Sequence, residues 1–179
     1  MTGWREIIDK YYPEGTRLRD ILLQHSHGVA ALALEINATL KYPLDPVEVE
    51  TAAMLHDIGI FLTNAPSIHC HGNLPYICHG YLGADLLRHE GIGEKYARVC
   101  ERHTGTGLTR EEIKENQLPL PYDRSYMPST PLERLICYAD KFYSKSGDMK
   151  RKSFDDVVKG IAAYGKSNLE RFNKLIEGL

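Results

Sequence analysis

Residues 45–59 have the sequence DPVEVETAAMLHDIG, and this stretch predicts the centre of the fold. Asp45 is suited to cap a helix, Pro46 to occupy its first position, and Glu48 to complete the cap three residues later. The helix predicted over 46–58 is apolar nearly all round, through Val47, Val49, Ala52, Ala53, Met54, Leu55 and Ile58. A helix without a polar face is typically buried, so we expect it at the middle of the molecule.

The end of this central helix carries two side chains that can bind metals. His56 and Asp57 are adjacent in the sequence. Neighbouring residues of a helix are about 100° apart around its axis, so both side chains can flank one point in space.

The rest of the chain also predicts helices. Capping boxes begin at Thr109 and Thr130, with Glu112 and Glu133 three residues later. Together with hydrophobic residues at helical spacing, they predict an all-α fold with helices near 3–11, 17–40, 46–58, 79–90, 93–103, 109–116, 131–146 and 154–176. Two stretches rich in Pro and aromatic residues, 59–78 and 118–130, are predicted to be loops, and a loop as long as the first is often functional.

Size and charge exclude several classes of function. The chain has 179 residues, which fits one domain over 1–179. Its 22 basic and 24 acidic residues give a net charge of -2 without runs of like charge, so nothing indicates binding to nucleic acid or a membrane surface. The sequence has no membrane-spanning stretch and no signal-peptide core, and its four cysteines lack CxxC spacing. We therefore expect a cytoplasmic protein with reduced thiols.

Histidine and aspartate recur on the apolar faces of other helices. His25 shares a face with Leu18, Leu22 and Val29, because the spacings are four, three and four residues. Equivalent inward positions are held by His79, His103 and Asp140 on their own predicted helices. Five helices therefore direct a His or Asp toward the core.

The two inward carboxylates, Asp57 and Asp140, need a counter-charge. An ionised carboxylate on an apolar face is costly unless it is paired or binds a cation, and these faces carry no inward Lys or Arg. Four imidazoles and two carboxylates would satisfy one another best around a metal ion. A structural polar cluster stays open as the alternative, because a single inward His is more often a hydrogen-bonded core residue.

In this order the residues resemble the HD domain superfamily of metal-dependent phosphohydrolases, and within it the small stand-alone HDIG-type proteins. The resemblance runs from about residue 17 to 146. It rests on HSHGVA at 25–30, LHDIG at 55–59, HGYLGADLL at 79–87, ERHTG at 101–105 and ICYADKF at 136–142. It implies a single helical bundle with the metal site among five helices and the helix 154–176 packed against it.

The resemblance also implies the metal ligands. One or two ions would be held by His25, His56, Asp57, His79, His103 and Asp140. Asp57 is the expected bridge between the two ions. Many relatives carry Lys directly after the Gly of the doublet motif, or an acidic residue nearby, where this chain has Ile60, Phe61 and Leu62. A substrate-holding group expected there must come from elsewhere, or the chemistry differs.

The chemistry that follows is hydrolysis of a phosphoester. A shell of His and carboxylate ligands suits Fe, Mn, Zn, Ni or Co better than Mg. Such an ion lowers the pKa of bound water toward ~7 and polarises a phosphoryl oxygen. We predict a small phosphorylated metabolite or nucleotide as substrate, with Asp57 central to catalysis and with Lys141 and Arg102 as candidates to hold substrate oxygens. His69 and His71 could donate a proton, or could simply be exposed loop residues.

Two other functions stay open. The same six ligands resemble those of the mixed-valence di-iron oxygenases of this superfamily, which cleave carbon bonds with dioxygen. The absence of Lys at position 60 weakens the likeness to inositol oxygenase, where that residue would hold substrate. A non-catalytic ligand-binding module is the third possibility, although it would not require all six ligand positions. The oligomeric state also stays open.

Overall fold

The fold consists of helices joined by short connections and one structured loop. A computed structural model describes residues 3–177 and Leu179. The helices are α1 (Trp4–Tyr11), α2 (Arg17–Asn37), α3 (Pro46–Leu55), α4 (His79–His89), α5 (Glu94–Arg102), α6 (Arg110–Glu115), α7 (Pro131–Asp140), α8 (Phe154–Ala162) and α9 (Lys166–Lys174). The predicted all-α class is confirmed.

The helix α3 is central, as its composition predicts. It contacts α1, α2, α5 and α7, and its buried residues are Val49, Ala52, Ala53, Met54 and Leu55. Asp45 caps it by accepting a hydrogen bond from the Val47 amide at 2.9 Å. Val47 itself is 67% exposed, so the helix has one solvent-facing position that the sequence pattern did not predict.

Several predicted helices end earlier in the structure. The one predicted over 46–58 ends at Leu55, and the one predicted over 131–146 ends at Asp140. The amides of Lys141 and Phe142 bond to carbonyls three residues back, which tightens the last turn and ends α7. The helix predicted over 17–40 ends at Asn37, whose side chain bonds to both the amide and the carbonyl of Leu44.

The predicted helix 154–176 is two helices, α8 and α9. The break lies at Gly165, whose φ of 104° is incompatible with an α-helix. The second helix packs against α7, since Phe172 stacks on Tyr138 with ring centroids 4.8 Å apart and Arg134 Nε donates to Leu175 O at 2.9 Å. The C-terminal segment therefore packs on the bundle, but as a helical hairpin.

The loop 59–78 is compact rather than extended. It contains three 3-10 turns and three short strands, β1 (Thr63–Ala65), β2 (Cys70–His71) and β3 (Leu74–Pro75). The sheet order is β2-β1-β3, with β2 antiparallel and β3 parallel to β1. Strands of two or three residues are too short to produce an alternating sequence pattern, so the sequence did not predict them.

Gly59 allows α4 to approach the turn that follows α3. A Cβ atom at Gly59 would lie 2.3 Å from the carbonyl oxygen of His79 and 2.4 Å from the amide nitrogen of Gly83. No other residue fits there without displacing α4. This contact brings the first residue of α4, His79, beside Asp57.

The described residues include four cysteines, and their helices can be compared with the length and hydropathy of a membrane span. Cys70, Cys78, Cys100 and Cys137 are buried free thiols. Among the residues that the structure describes, no helix is both long enough and apolar enough to cross a membrane.

Candidate metal centre

Six buried side chains form two adjoining groups of potential metal ligands. The first group consists of His25, His56, Asp57 and Asp140, and the second of Asp57, His79 and His103. Within each group the ligand atoms all lie within 4.8 Å of one another. The sequence analysis proposed the same six residues, and the structure brings all of them together.

Most of these side chains lie at the ends of helices. His56 and His103 cap the C-termini of α3 and α5, His79 begins α4, and Asp140 ends α7. His25 comes from the middle of α2. Five helices therefore surround the cluster, as the spacing of the inward residues predicted.

Asp57 lies between the two groups. Its Oδ2 atom is 3.1 Å from Nε2 of both His25 and His56. Its Oδ1 atom is 3.4 Å from His79 Nε2 and 3.3 Å from His103 Nε2. One carboxylate thus presents one oxygen to each group, which is the arrangement that a bridging ligand requires.

The backbone fixes the orientation of three imidazole rings. The Nδ1 atoms of His56, His79 and His103 lie 2.6, 2.7 and 2.7 Å from the carbonyl oxygens of Ala53, Tyr76 and Cys100. A carbonyl only accepts, so each ring donates its Nδ1 proton to it. In the neutral ring, Nε2 then carries a lone pair that points into the cluster.

Several acceptors converge at the centre of the cluster. His79 Nε2 and His103 Nε2 are 3.0 Å apart, and in the neutral rings both are acceptors. Asp57 Oδ1 and His25 Nδ1 are buried without a hydrogen-bond partner, whereas Asp57 Oδ2 meets the ammonium group of Lys145. Converging nitrogen and carboxylate acceptors are the chemistry of a divalent transition-metal site, so these residues fit such an ion.

The pKa values of the clustered side chains are shifted by burial and by the charges of their neighbours. Burial opposes ionisation of Asp57, but Lys145 and His56 outweigh it and hold the pKa of that carboxyl well below its usual range. Burial lowers the pKa of His79 to about 3 and also lowers the pKa of His103. Burial would lower the pKa of His56 too, but the charges of Asp57 and Asp140 raise it to about 9.

Lys145 is a member of the cluster that the sequence analysis missed. Its Nζ atom lies 2.6 Å from Asp57 Oδ2, and its side chain is 14% exposed. A helix continuing to residue 146 would turn Lys145 about 140° away from Asp140. Because α7 ends at Asp140, the chain after it turns back and places Lys145 at the centre. Lys145 could have been predicted there only if the early end of α7 had been predicted.

The two candidates for holding substrate oxygens occupy different surroundings. Lys141 Nζ lies 2.7 Å from Asp140 Oδ2 and donates to His103 O at 3.0 Å, so it contacts both ligand groups. Arg102 instead bonds to Glu133 at 3.1 Å and to Ser129 at 3.0 Å. The structure does not bring Arg102 into the cluster, and its role in substrate binding stays a prediction.

His69 and His71 lie on the surface of the loop 59–78. Both are exposed, and they line a shallow surface cavity with Tyr12 and Arg17. Within residues 3–177 and 179, these histidines join no cluster of potential metal ligands. Their predicted role as proton donors stays a prediction.

A cavity of about 410 Å³ opens beside the centre. Asp140, Lys141 and Lys145 connect it to the ligand groups, and Lys152 adds a further basic side chain. Hydroxyl groups complete its lining, from Ser67, Tyr76, Tyr143, Ser144 and Ser146. The cavity offers three ammonium groups and several hydroxyls, which suits a small anion such as a phosphoryl group.

The sequence matches the model of the HD domain family over residues 22–144. An uncharacterized protein of Methanocaldococcus jannaschii is 36% identical over 141 residues, which cover 77% of this chain and 73% of that protein. The structure is similar to the crystal structure of the HD domain of the L. monocytogenes phosphodiesterase PgpH, with a TM-score of 0.55 and 15% identity. That match covers 96% of this chain and 94% of the other, so the two share a fold.

Two further relatives are longer proteins. The tRNA (cytidine(56)-2'-O)-methyltransferase of Picrophilus torridus is 31% identical and that of Thermoplasma volcanium 34% identical. The matches cover 89% and 91% of this chain but 42% and 41% of the methyltransferases. The chain therefore spans about two fifths of the length of these two relatives, and their names describe the whole proteins.

Proposed function

The chain belongs to the HD domain family, and on that premise we propose that it is a metal-dependent phosphohydrolase. The proposed substrate is a phosphoester of a small metabolite or nucleotide. The observation that supports this most directly is the bridging position of Asp57, with one oxygen facing each group of imidazoles. A purely structural cluster would pair all buried acceptors with donors, whereas in the neutral rings His79 Nε2 and His103 Nε2 face each other and Asp57 Oδ1 as acceptors.

The six clustered residues would hold one or two divalent transition metals. The first ion would be held by His25, His56, Asp57 and Asp140, and a second by Asp57, His79 and His103. When bound, such an ion supplies an activated water and a Lewis acid for a phosphoryl oxygen. Of the proposed metals, Fe, Mn, Zn, Ni and Co all suit mixed imidazole and carboxylate ligands.

The chain's own residues would position the phosphoryl group. Lys145 lines the 410 Å³ cavity and lies 2.6 Å from Asp57, so a phosphoryl group in the cavity would meet an ammonium group next to the bridging carboxylate. Lys141 neutralises Asp140 and fixes it relative to the carbonyl of His103. Phosphoryl transfer depends mainly on such positioning and charge neutralisation. Lys145 is thereby a candidate for the basic group that is absent at position 60.

The test is metal analysis followed by assays of turnover. The chain is purified without added metal, its metal content is measured, and phosphate release from a panel of phosphomonoesters is followed with and without dioxygen. One or two transition metals per chain and oxygen-independent phosphate release are expected. Two irons with oxygen-dependent turnover would favour an oxygenase, and bound metal without any turnover would favour a ligand-binding module.

A further inference from the structure

We propose that the groove between α6 and the α8–α9 hairpin is a second subsite, which binds a bulky and largely apolar body of the substrate. This inference rests on the proposed function, because it assumes that the phosphoryl group occupies the cavity beside the metal centre. The substrate class is then a phosphomonoester with a large apolar or aromatic body, rather than a short polar phosphate such as glycerol phosphate.

The groove adjoins the cavity of the metal centre. Lys141 and Lys152 line both spaces. A phosphoryl group beside Lys145 would therefore lie next to the opening of the groove. The groove has a volume of about 1090 Å³, compared with about 410 Å³ for the cavity. It is of the size that binds drug-sized molecules in other proteins.

The groove exposes more apolar than polar surface, although carboxylates also occur in its lining. One wall carries Ile77, Leu108 and Leu118, and the α8 wall carries Val157 and Ile161. Basic side chains lie where the groove meets the cavity. This separation of charge from apolar surface complements a molecule with a phosphate at one end and a hydrophobic body at the other.

The polar groups of the groove are largely engaged with one another. Asn168 Oδ1 accepts hydrogen bonds from Thr106 Oγ1 at 3.1 Å and from Arg171 Nη2 at 3.0 Å, and Asn168 Nδ2 donates to Tyr164 O at 2.9 Å. Arg171 Nη2 also bonds to Glu112 Oε1 at 2.6 Å. These bonds join α9 to α6 and engage the polar groups on that side of the groove. Further polar side chains in the lining are Glu115, Asn116, Asp156 and Ser167, so we expect apolar contact to come from the wall residues named above.

Gly160 provides a variant that fills the groove. It lies on α8 among the lining residues, and a Cβ atom at this position would meet no heavy atom within 4 Å. Gly160→Trp therefore adds its Cβ atom in open space and attaches a large ring to a residue that lines the groove. Gly160→Ala is the matched control, because it changes the helix backbone in the same way but adds only one methyl group.

The experiment compares naphthyl, phenyl and glycerol phosphates as substrates of the metal-loaded chain. Naphthyl phosphate is compared with phenyl phosphate, because the two leaving groups are of similar acidity whereas glycerol is a much poorer leaving group. The wild type should turn over naphthyl phosphate with kcat/KM at least about tenfold above that for phenyl phosphate, because the additional ring would be buried in the groove. Gly160→Trp should abolish this preference and keep the activity toward glycerol phosphate. Gly160→Ala should keep the preference. Equal kcat/KM for the naphthyl and phenyl esters, or a preference that survives Gly160→Trp, would overturn the subsite.

A binding measurement separates this inference from the proposed function. Naphthylmethylphosphonate resists hydrolysis, and its binding can be followed by calorimetry. If the chain hydrolyses no phosphomonoester but binds this phosphonate, and Gly160→Trp weakens that binding about tenfold or more, the subsite stands and the proposed function fails. Binding that is absent, or unchanged in Gly160→Trp, overturns the subsite whatever the turnover.

Discussion

The protein buries carboxylates in two ways. Glu133 and Glu101 are buried against arginine: Glu133 accepts from Arg102 at 3.1 Å and from the Ser129 amide at 2.8 Å, and Glu101 pairs with Arg88 and Arg124, both at 3.2 Å. We call this the arginine network. Asp57 and Asp140 each meet one lysine, at 2.6 Å from Lys145 and 2.7 Å from Lys141, and their other close neighbours are imidazole nitrogens.

The two arrangements differ in which groups donate hydrogen bonds to the carboxylates. In the arginine network, guanidinium and amide groups donate to the carboxylates, so the charges are paired within the protein. In the candidate metal centre, three rings donate hydrogen bonds from Nδ1 to backbone carbonyls and turn their Nε2 atoms inward. The carboxylates of the arginine network are paired with cations of the protein itself, whereas the candidate centre gathers several acceptors that a divalent cation would satisfy. The arginine network is the arrangement expected of a cluster that stabilises the fold. The second arrangement is the one expected of a cluster that binds a cation and takes part in a reaction.

Asp57→Asn should break the metal centre and leave the arginine network intact. The amide has nearly the same shape as the carboxylate, so the change removes charge without creating a cavity. We expect bound metal to fall to background and turnover of nitrophenyl phosphate to fall at least about 100-fold. Metal content, circular dichroism and turnover are measured in parallel, and the helical signal should not change.

Glu133→Gln is the control for this variant, because it removes one charge from the arginine network instead. Its metal content should equal that of the wild type. Retained metal with near-normal turnover in Asp57→Asn would contradict the bridging assignment. Loss of metal in Glu133→Gln would show that the two clusters are not independent.

Removal of the metal should destabilise the centre without loosening the arginine network. A ligand present at about 1,000 times its Kd stabilises the folded state by about 4 kcal/mol. At 2–4 °C per kcal/mol for a chain of this size, chelation should lower Tm by roughly 8–16 °C. Thermal unfolding with and without a chelator measures this, and Glu133→Gln should show the same shift. An unchanged Tm would mean that the cluster needs no cation.

Arg102→Gln tests whether Arg102 serves the network or the substrate. Its bonds to Glu133 and Ser129 predict a loss of about 1–3 kcal/mol of stability, because Glu133 loses a charged partner. Urea unfolding measures this loss, and KM for nitrophenyl phosphate should stay within about twofold of the wild type. A KM raised tenfold or more at unchanged stability would instead support the predicted contact with substrate oxygens.

Lys145→Met tests whether the ammonium group beside Asp57 contacts substrate. Methionine keeps most of the length of the side chain but removes its charge, so KM should rise about tenfold while metal content is retained. Lys150→Met is the control, since that side chain is 80% exposed. An unchanged KM in Lys145→Met would mean that Lys145 balances the charge of Asp57 and does not contact the substrate.

The sequence could predict the inward ligands because hydrophobic spacing indicates which side of each helix, and of the turn that follows it, faces the core. His25 is buried on the apolar face that its neighbours define, and His56 and Asp57 flank one point at the end of α3. Helix existence was predicted well for the same reason. Helix ends were predicted less well, since they depend on particular turns: Gly165 divides the C-terminal segment, and Asn37 ends α2 by bonding to Leu44.

Sequence reasoning missed Lys145, and the role that it predicted for Arg102 in substrate binding stays a prediction. Proximity in the chain suggested Arg102, next to His103, but its guanidinium reaches Glu133 on α7. Lys145 lies five residues after Asp140, and the helix predicted through it pointed it elsewhere. Both placements depend on tertiary packing that periodicity does not encode. The groove between α6 and the α8–α9 hairpin was not predicted either, because the sequence predicted one continuous helix there.

The smallest expected effect is a pH dependence that belongs to the arginine network alone. Burial opposes ionisation of Glu133, but the hydrogen bond from the Ser129 amide and the charge of Arg102 hold the pKa of its carboxyl below the usual 4.5. Since the folded pKa is the lower one, its contribution to stability is present above pH 4.5 and is lost as the pH falls through the folded pKa. For one proton, the free energy of unfolding changes by at most about 1.4 kcal/mol per pH unit.

Glu133→Gln lacks this contribution. The difference in unfolding free energy between the wild type and Glu133→Gln, here called the deficit, should therefore shrink from pH 7 to about pH 3.5. Urea unfolding of both chains, each with chelator to exclude metal effects, measures the deficit. A deficit that stays constant over this range would mean that Glu133 stabilises the fold without its charge.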